Sequence, residues 1–315
     1  MKNFDYTTYL SPFTWRYGSS DMRTIWSEEN KRKLWRKIWV AMAKAQHEQG
    51  LISKRELEDL VKHQNEIDIE KAQEHEKELH HDLMAEISVY ASQAKIGGGK
   101  IHLGATSMDI EDNADALRIK ESLVIIEKRL DTLLQAFAQK IKTHKTLPCM
   151  AYTHLQAAEP TTLGYRFALY TQDLLFDKEF LQFVKQMNKG KGLKGAVGTS
   201  ASYANLLGEE KAQLLEKKVM KELGIDAVEV SGQVTPRKLE FFVGSFCTSL
   251  AQSLYKFAFD LRIMQSPGFG EWQEPFGSKQ VGSSAMPFKR NPINSEQICS
   301  LGRLVFHLSA VLNDN

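Results

Sequence analysis

Cysteine is scarce in this chain of 315 residues: Cys149, Cys247 and Cys299 are an odd number, lie far apart and form no CxxC pair. That excludes a disulfide framework and points to free thiols in a reducing compartment. Proline is also rare, at 8 residues, while 42% of residues are hydrophobic and 25% charged, with a negative mean hydropathy. This balance excludes disordered, collagen-like and low-complexity classes. Neither sign of charge dominates: the formal net charge is +2 and no long run of one sign occurs, so nucleic acid is not expected as a partner. No apolar run reaches 18 residues, and the opening MKNFDYTTYLSPFTWRYGSS has no signal-peptide core. No membrane partner is therefore expected, and the expected location is cytoplasmic. Strand signals are nearly absent, limited to short β-branched pieces around residues 227–230 and Val197.

Helical periodicity fills the space those absences leave. From Ala116 the apolar positions Ile119, Leu123, Ile126, Leu130, Leu133 and Phe137 follow an alternating spacing of three and four, which keeps them on one helix face. A second seam runs Leu163, Phe167, Tyr170, Leu174, Leu181 and Val184, with Asp177 interrupting it where a core residue belongs. Leu239, Phe242, Phe246, Leu250, Leu254, Phe257, Leu261 and Met264 form a third. Three long amphipathic helices predict an all-α fold built on a helical bundle. The earlier part predicts shorter helices over residues 28–49, 54–63 and 83–95, separated by Gly50 and the Gly97-Gly98-Gly99 run. The expected organisation is a small N-terminal helical domain, residues 1–111, followed by a long-helix bundle domain, residues 112–315.

Several strings carry possible chemistry. GKGLKG at residues 190–195 matches GxGxxG, but it follows a helical seam instead of a strand, so a flexible inter-helix loop is the expectation in place of a dinucleotide cradle. His80, His81 and Asp82 are residue types that bind metals, yet no HExxH pattern accompanies them and no metal is expected. IHLGATSMD, residues 101–109, sets His102, Thr106 and Ser107 just before a long helix. Ser107 or Asp109 can cap that helix, the free N–H groups of its first turn can receive a carboxylate, and both can hold at once. YTHLQAAEPTTLGYR, residues 152–166, places His154 beside Thr153 and ahead of Pro160, expected in the first turn of the second seam. Histidine titrates near neutrality and suits a general acid. GSSAMPFKRNPINSE, residues 282–296, follows a glycine-rich stretch that reads as a mobile loop, and it gathers two serines, Lys289, Arg290 and Asn291. It fits neither GxSxG nor SxxK, the usual settings of a nucleophilic serine.

This last string resembles the GSSxMPxKxNP signature of the fumarase/aspartase superfamily. Within it the chain looks most like the adenylosuccinate lyase family: Arg16-Tyr17, His81-Asp82, HLGATSMD, THLQAAEPTTLGYR, GAVGT at residues 195–199, Gln233 and KRNP occur in the family's order along essentially the whole chain. The resemblance implies β-elimination of fumarate from adenylosuccinate and from succinylaminoimidazole carboxamide ribotide in purine synthesis. It implies Ser283 as general base and His154 as the acid that protonates the departing nitrogen. Arg16, Tyr17, His80, His81, Asp82, Thr106, Ser107, Gln233, Lys289 and Asn291 would then bind substrate, with His102, Thr153 and Glu296 in support and Glu296 orienting His154. No cofactor is implied. The partners implied are a nucleotide substrate and, in a homotetramer, two further copies of the chain at each shared active site.

Members of the family continue beyond the point where this sequence stops. The rest of the central domain, with some of its phosphate contacts, and a small C-terminal helical domain are therefore expected to be absent, and turnover by this chain is expected to be poor or absent. The rival readings are another superfamily lyase, such as an argininosuccinate lyase, and an inactive helical scaffold; an oxidoreductase based on GKGLKG is the weakest.

Overall fold

The computed structural model describes residue 7 and residues 9–314. Its helices are α1 (Pro12–Trp15), α2 (Ser20–Ile25), α3 (Glu28–Glu48), α4 (Lys54–His63), α5 (Ile69–Leu79), α6 (Asp82–Gln93), α7 (Ser107–His144), α8 (Leu163–Met187), α9 (Ala201–Leu207), α10 (Glu209–Leu223), α11 (Lys238–Gln265) and α12 (Ile293–Ala310). The sheet among the described residues is one antiparallel hairpin, β1 (Pro148–Thr153) and β2 (Gln156–Thr162). The fold is all-α, as the three seams predict. None of its described helices is long and apolar enough to cross a membrane.

The chain divides into two compact units. One holds the residues up to Ile125 together with Asn188–Pro236, and the other holds Ile126–Met187 and the residues from Arg237 onward. This division differs from the expected border at 111/112, which falls inside the first turns of the continuous helix α7. The stretch after α8 also returns to the first unit, an association that no local sequence signal announces.

In the first unit α3 is the central element. Ser27 caps it by accepting the Asn30 N–H, Glu28 and Glu29 sit favourably in its first turn, and Trp35, Ile38, Trp39 and Met42 are buried. They pack with Leu83 and Tyr90 of α6, Ile110 and Ala114 of α7, and Leu215 and Val219 of α10. A Ser53–Glu56 capping box starts α4 where its periodicity predicts. Helix α5 has no counterpart among the expected helices because it buries only Ala72 and so shows no apolar stripe; the Asp68 cap on the Lys71 N–H marks its start. Helices α9 and α10 are likewise additional to the expected set.

In the second unit the seams pack as their spacing requires. Leu130 and Phe137 of α7, Leu174, Leu181 and Val184 of α8, and Phe246 and Met264 of α11 are buried. The Phe257 ring meets Phe137 and Tyr170 edge-on, each at a centroid distance of 5.1 Å. Asp177 does occupy a core position, 1% exposed, and its charge is partly met by Ser249 Oγ of α11 at 2.6 Å. Lys178 and Lys185 of α8 both bind Glu127 of α7.

Two expectations are corrected. Pro160 is not in a helical turn but in β2, opposite Met150. A two-stranded hairpin has a free edge on each strand, so a residue without an N–H is tolerated there. Residues 190–195 are an inter-helix loop, but all six are buried and bonded, not flexible.

Candidate active site

The first unit brings several of the expected residues together. His80 ends α5 in the left-handed conformation, φ 51°, and His81 caps α6 by accepting the Met84 N–H at 3.5 Å. The sharp break between the two helices leaves His81 Nε2 3.5 Å from Ser107 Oγ, at the start of α7. Asp82 accepts the Leu83 N–H and lies 3.8 Å from His81 Nδ1. Two helix N-termini, each with a partial positive charge, thus meet beside an imidazole and a hydroxyl, a combination suited to a carboxylate.

Behind them, Trp39 Nε1–H donates to His102 Nδ1 at 3.2 Å. That bond requires Nδ1 to be unprotonated, and burial accordingly holds the His102 pKa down at about 4, with Asp109 pulling it upward and His81 pushing it further down. Thr106 donates its N–H to Asp109 Oδ2 at 3.1 Å. Gln233 is exposed on the loop before α11, whose Thr235 N–H bonds Asp112 of α7 at 2.6 Å. Arg16 and Tyr17 follow α1, both exposed, with the guanidinium 6.0 Å from the centre of the tyrosine ring.

Sequence reasoning passed over Glu111, one turn along α7 from Ser107. Burial raises its pKa to about 7, helped by Asp82, Asp112 and Asp115 and opposed by Lys31. The density of acids in MDIED is the signal that could have found it.

The His102 environment predicts a pH dependence. The folded chain binds fewer protons than the unfolded one between pH 4 and the ordinary histidine value of 6.5. Its contribution to stability is therefore complete above pH 6.5 and is lost as pH falls toward 4, by about 2 kcal/mol once partial exposure is discounted. Glu111 acts oppositely, because its folded pKa is raised: its contribution is largest below 4.5 and declines as pH rises through 7. Thermal melts of wild type and His102→Gln across pH 4–8 separate the two. The difference between the curves should shrink on the acid side, and a pH-independent difference would contradict the neutral, buried His102.

The second unit holds the remaining residues. His154 and Leu155 form the two-residue turn between β1 and β2, with φ of 53° and 62°. Positive φ at both central positions is what a type I′ hairpin turn needs, and without glycine it costs about 1–2 kcal/mol per residue. The hairpin is tied down beneath the turn: Tyr152 Oη donates to Glu271 Oε1 at 2.6 Å, and Arg166 Nη1 donates to Glu271 Oε2 at 2.5 Å. Burial opposes ionisation of Glu271, but these two bonds outweigh it and keep the carboxyl below its usual pKa. Thr153 and His154 are exposed.

Ser283 sits on the irregular segment between α11 and α12, where its Oγ accepts the N–H groups of Ala285 at 3.2 Å and Met286 at 3.1 Å. Asn291 Nδ2 donates to the Gly282 carbonyl at 3.0 Å and closes the neck of this loop. A Cβ on Gly282 would fall 1.7 Å from the Lys289 carbonyl oxygen, so only glycine permits that closure. At the base, Glu274 accepts from both N–H and Oγ of Ser295 and from N–H and Nδ2 of Asn294. Lys289 is exposed on the loop, and Glu296 is exposed in the first turn of α12. Among the described residues no hydrogen bond or ion pair joins Glu296 to His154, so the expected orienting contact is not made within this chain. Nor do the described residues contain a group of three His, Cys, Asp or Glu side chains placed to hold a metal.

Comparison with known proteins shows the family. Residues 16–306 match the lyase family. The chain is 37% identical over 97% of its length to adenylosuccinate lyase of Schistosoma mansoni, covering 64% of that protein. It is 38% identical over 97% of its length to adenylosuccinate lyase of Pyrococcus abyssi, covering 68%. The enzyme of that name from Methanocaldococcus jannaschii is 40% identical, with 66% of it covered. The chain thus spans about two thirds of the length of these relatives. Fumarate lyase from Mesorhizobium sp. BNC1 superposes on 95% of the chain with a TM-score of 0.83 at 24% identity, with 66% of that protein covered, a likeness of fold. With its sequence matched from residue 16 to residue 306 and aligned to these relatives almost from end to end, the chain belongs to the lyase family, among the adenylosuccinate lyases.

Proposed function

We propose that this chain carries the machinery of an adenylosuccinate lyase, a carbon–nitrogen lyase that eliminates fumarate from adenylosuccinate and from succinylaminoimidazole carboxamide ribotide. In this reading Ser283 Oγ takes the proton from the carbon next to the substrate carboxylate. The C–H electron pair becomes the new C=C bond, the C–N bond breaks, and its electrons go to the nitrogen, which receives a proton from His154. The observation that carries the reading is the pair of N–H groups donating to Ser283 Oγ. A serine is a poor base unless its alkoxide is stabilised, and hydrogen bonds to the charged form lower the pKa in the required direction. The names of the relatives support the same chemistry.

His81, Thr106 and Ser107 hold a substrate carboxylate at the paired helix N-termini, with His80, Asp82 and His102 beside them. Lys289 and Asn291 serve the serine loop, Gln233 contacts substrate, and Arg16 and Tyr17 meet the nucleotide phosphate, for which a guanidinium is well shaped. Thr153 and Glu296 support His154, and since Glu296 does not reach it within the chain, that support comes from another copy. The proposed assembly is accordingly a homotetramer whose active sites draw residues from three subunits, and the proposed location is the cytoplasm.

The test follows the ultraviolet absorbance change on mixing the protein with adenylosuccinate, for wild type, His154→Ala, Ser283→Ala and a refolded mixture of the two variants. Slow turnover by wild type, its loss in each variant and partial recovery in the mixture are expected. An inactive wild-type assembly would refute the activity, and a mixture that assembles without recovery would refute shared sites.

A further inference from the structure

The GKGLKG segment is built like an anion cradle, yet its anion comes from the chain itself. Asp109, 0% exposed, points its carboxylate into residues 190–195. Oδ1 accepts from Lys191 Nζ at 2.7 Å and from the Lys194 N–H at 3.2 Å, while the Gly195 N–H lies 3.2 Å from Oδ1 and 3.1 Å from Oδ2. Successive N–H groups converging on one carboxylate have the character of an anion-binding nest. Gly195 reaches this geometry with φ +70°, which an L side chain would strain. Oδ2 also accepts from Tyr203 Oη of α9 at 2.9 Å and from the Thr106 N–H at 3.1 Å. Lys191 is 0% exposed and Tyr203 1%, so neither can exchange these bonds for water.

One carboxylate therefore joins three pieces of chain: the Thr106 and Ser107 turn, the residue 190–195 loop that leads into GAVGT, and α9. We propose that Asp109 is a positioning residue for substrate, because its buried carboxylate sets where Thr106 and Ser107 stand relative to the residue 195–199 strip. The inference rests on the reading of Thr106 and Ser107 as substrate-binding residues. Asp109 itself touches no substrate; it acts through the Thr106 N–H. A donor displaced by even about 1 Å loses much of its grip on a carboxylate, so the arrangement fixes binding geometry more than the reaction step.

The experiment compares wild type with Asp109→Asn/Lys191→Met, in which no buried charge is left unpaired, and with Leu215→Ala, which opens a cavity in the apolar core of the same unit and removes none of the Asp109 hydrogen-bond partners. Hydrogen exchange is read on peptides covering residues 101–108 and 193–200, with and without adenylosuccinate, alongside steady-state turnover. In the double variant both peptides should exchange about tenfold faster, protection by adenylosuccinate should vanish, and KM should rise about tenfold with kcat within about threefold of wild type. Leu215→Ala should lower the melting temperature and leave KM unchanged. Faster exchange with unchanged protection and KM would mark Asp109 as purely structural and overturn the inference, as would unchanged exchange. A wild type that is protected by adenylosuccinate but does not cleave it counts against the lyase reading alone, and the protection comparison then decides the role of Asp109.

Discussion

Ser283→Ala is expected to lower kcat for adenylosuccinate cleavage by about 10²–10⁴-fold while changing KM little, since the proposed base acts in the transition state and not in binding. The fold should be unaffected. Among the described residues the hydrogen bonds lost are those from Ala285 and Met286, on a loop partly open to water, and solvation of the two N–H groups limits the cost to about 1 kcal/mol. Rates measured across pH sharpen the test, because the wild-type rate should rise as the serine deprotonates and the residual rate of the variant should lack that limb. A variant with wild-type turnover would remove Ser283 from the mechanism.

The largest effect on stability is expected at Glu86. This carboxylate, 0% exposed, binds Arg32 at 2.9 Å and Arg36 at 2.7 Å, and both guanidinium groups are buried. Arg36 also donates to the His63 carbonyl and to Gln93, and stacks 4.4 Å from the centre of the Tyr90 ring. Glu86→Ala leaves two buried cations without a counter-charge, at a cost of about 3–5 kcal/mol, and the melting temperature should fall by roughly 10 °C. Replacing all three residues with apolar ones of similar volume, as Arg32→Met/Arg36→Met/Glu86→Leu, should recover most of that loss, because such a triad loses in desolvation much of what it gains in attraction. A triple variant as unstable as Glu86→Ala would show that the bonds to His63 and Gln93 matter more than the charges.

The legible and illegible parts of this chain divide on physical lines. The seams of α7, α8 and α11 could be read because a helix that buries one face must repeat apolar residues along it. Helix α5 could not, since it buries almost nothing. The hairpin carrying His154 escaped notice because its strands are short and mostly exposed, with Pro148 opening β1 and Pro160 inside β2. Its turn has no Asn-Gly or Asp-Gly signal either, and the conformation is held from below by Glu271, more than 100 residues away. The candidate site follows the same pattern. His81, Ser107, His154 and Ser283 stand in recognisable strings, whereas nothing local marks Glu271 or Glu274 as carboxylates that tie those strings down, and the local position of Asp109 announces a helix cap but not its bonds to residues 191–195 and Tyr203.

The sequence by itself determined the all-α class, the long helices and the residue types available for acid–base chemistry, because these depend on periodicity and on chemistry carried by neighbouring residues. Only the tertiary structure decided that residues 188–236 join the first unit, that GKGLKG wraps an internal carboxylate, that His81 meets Ser107, and that a strained turn presents His154. Each of these depends on partners far apart along the chain. Their pairing is selected by burial and by the need to satisfy every buried charge and N–H, conditions that come into being only when the chain has folded.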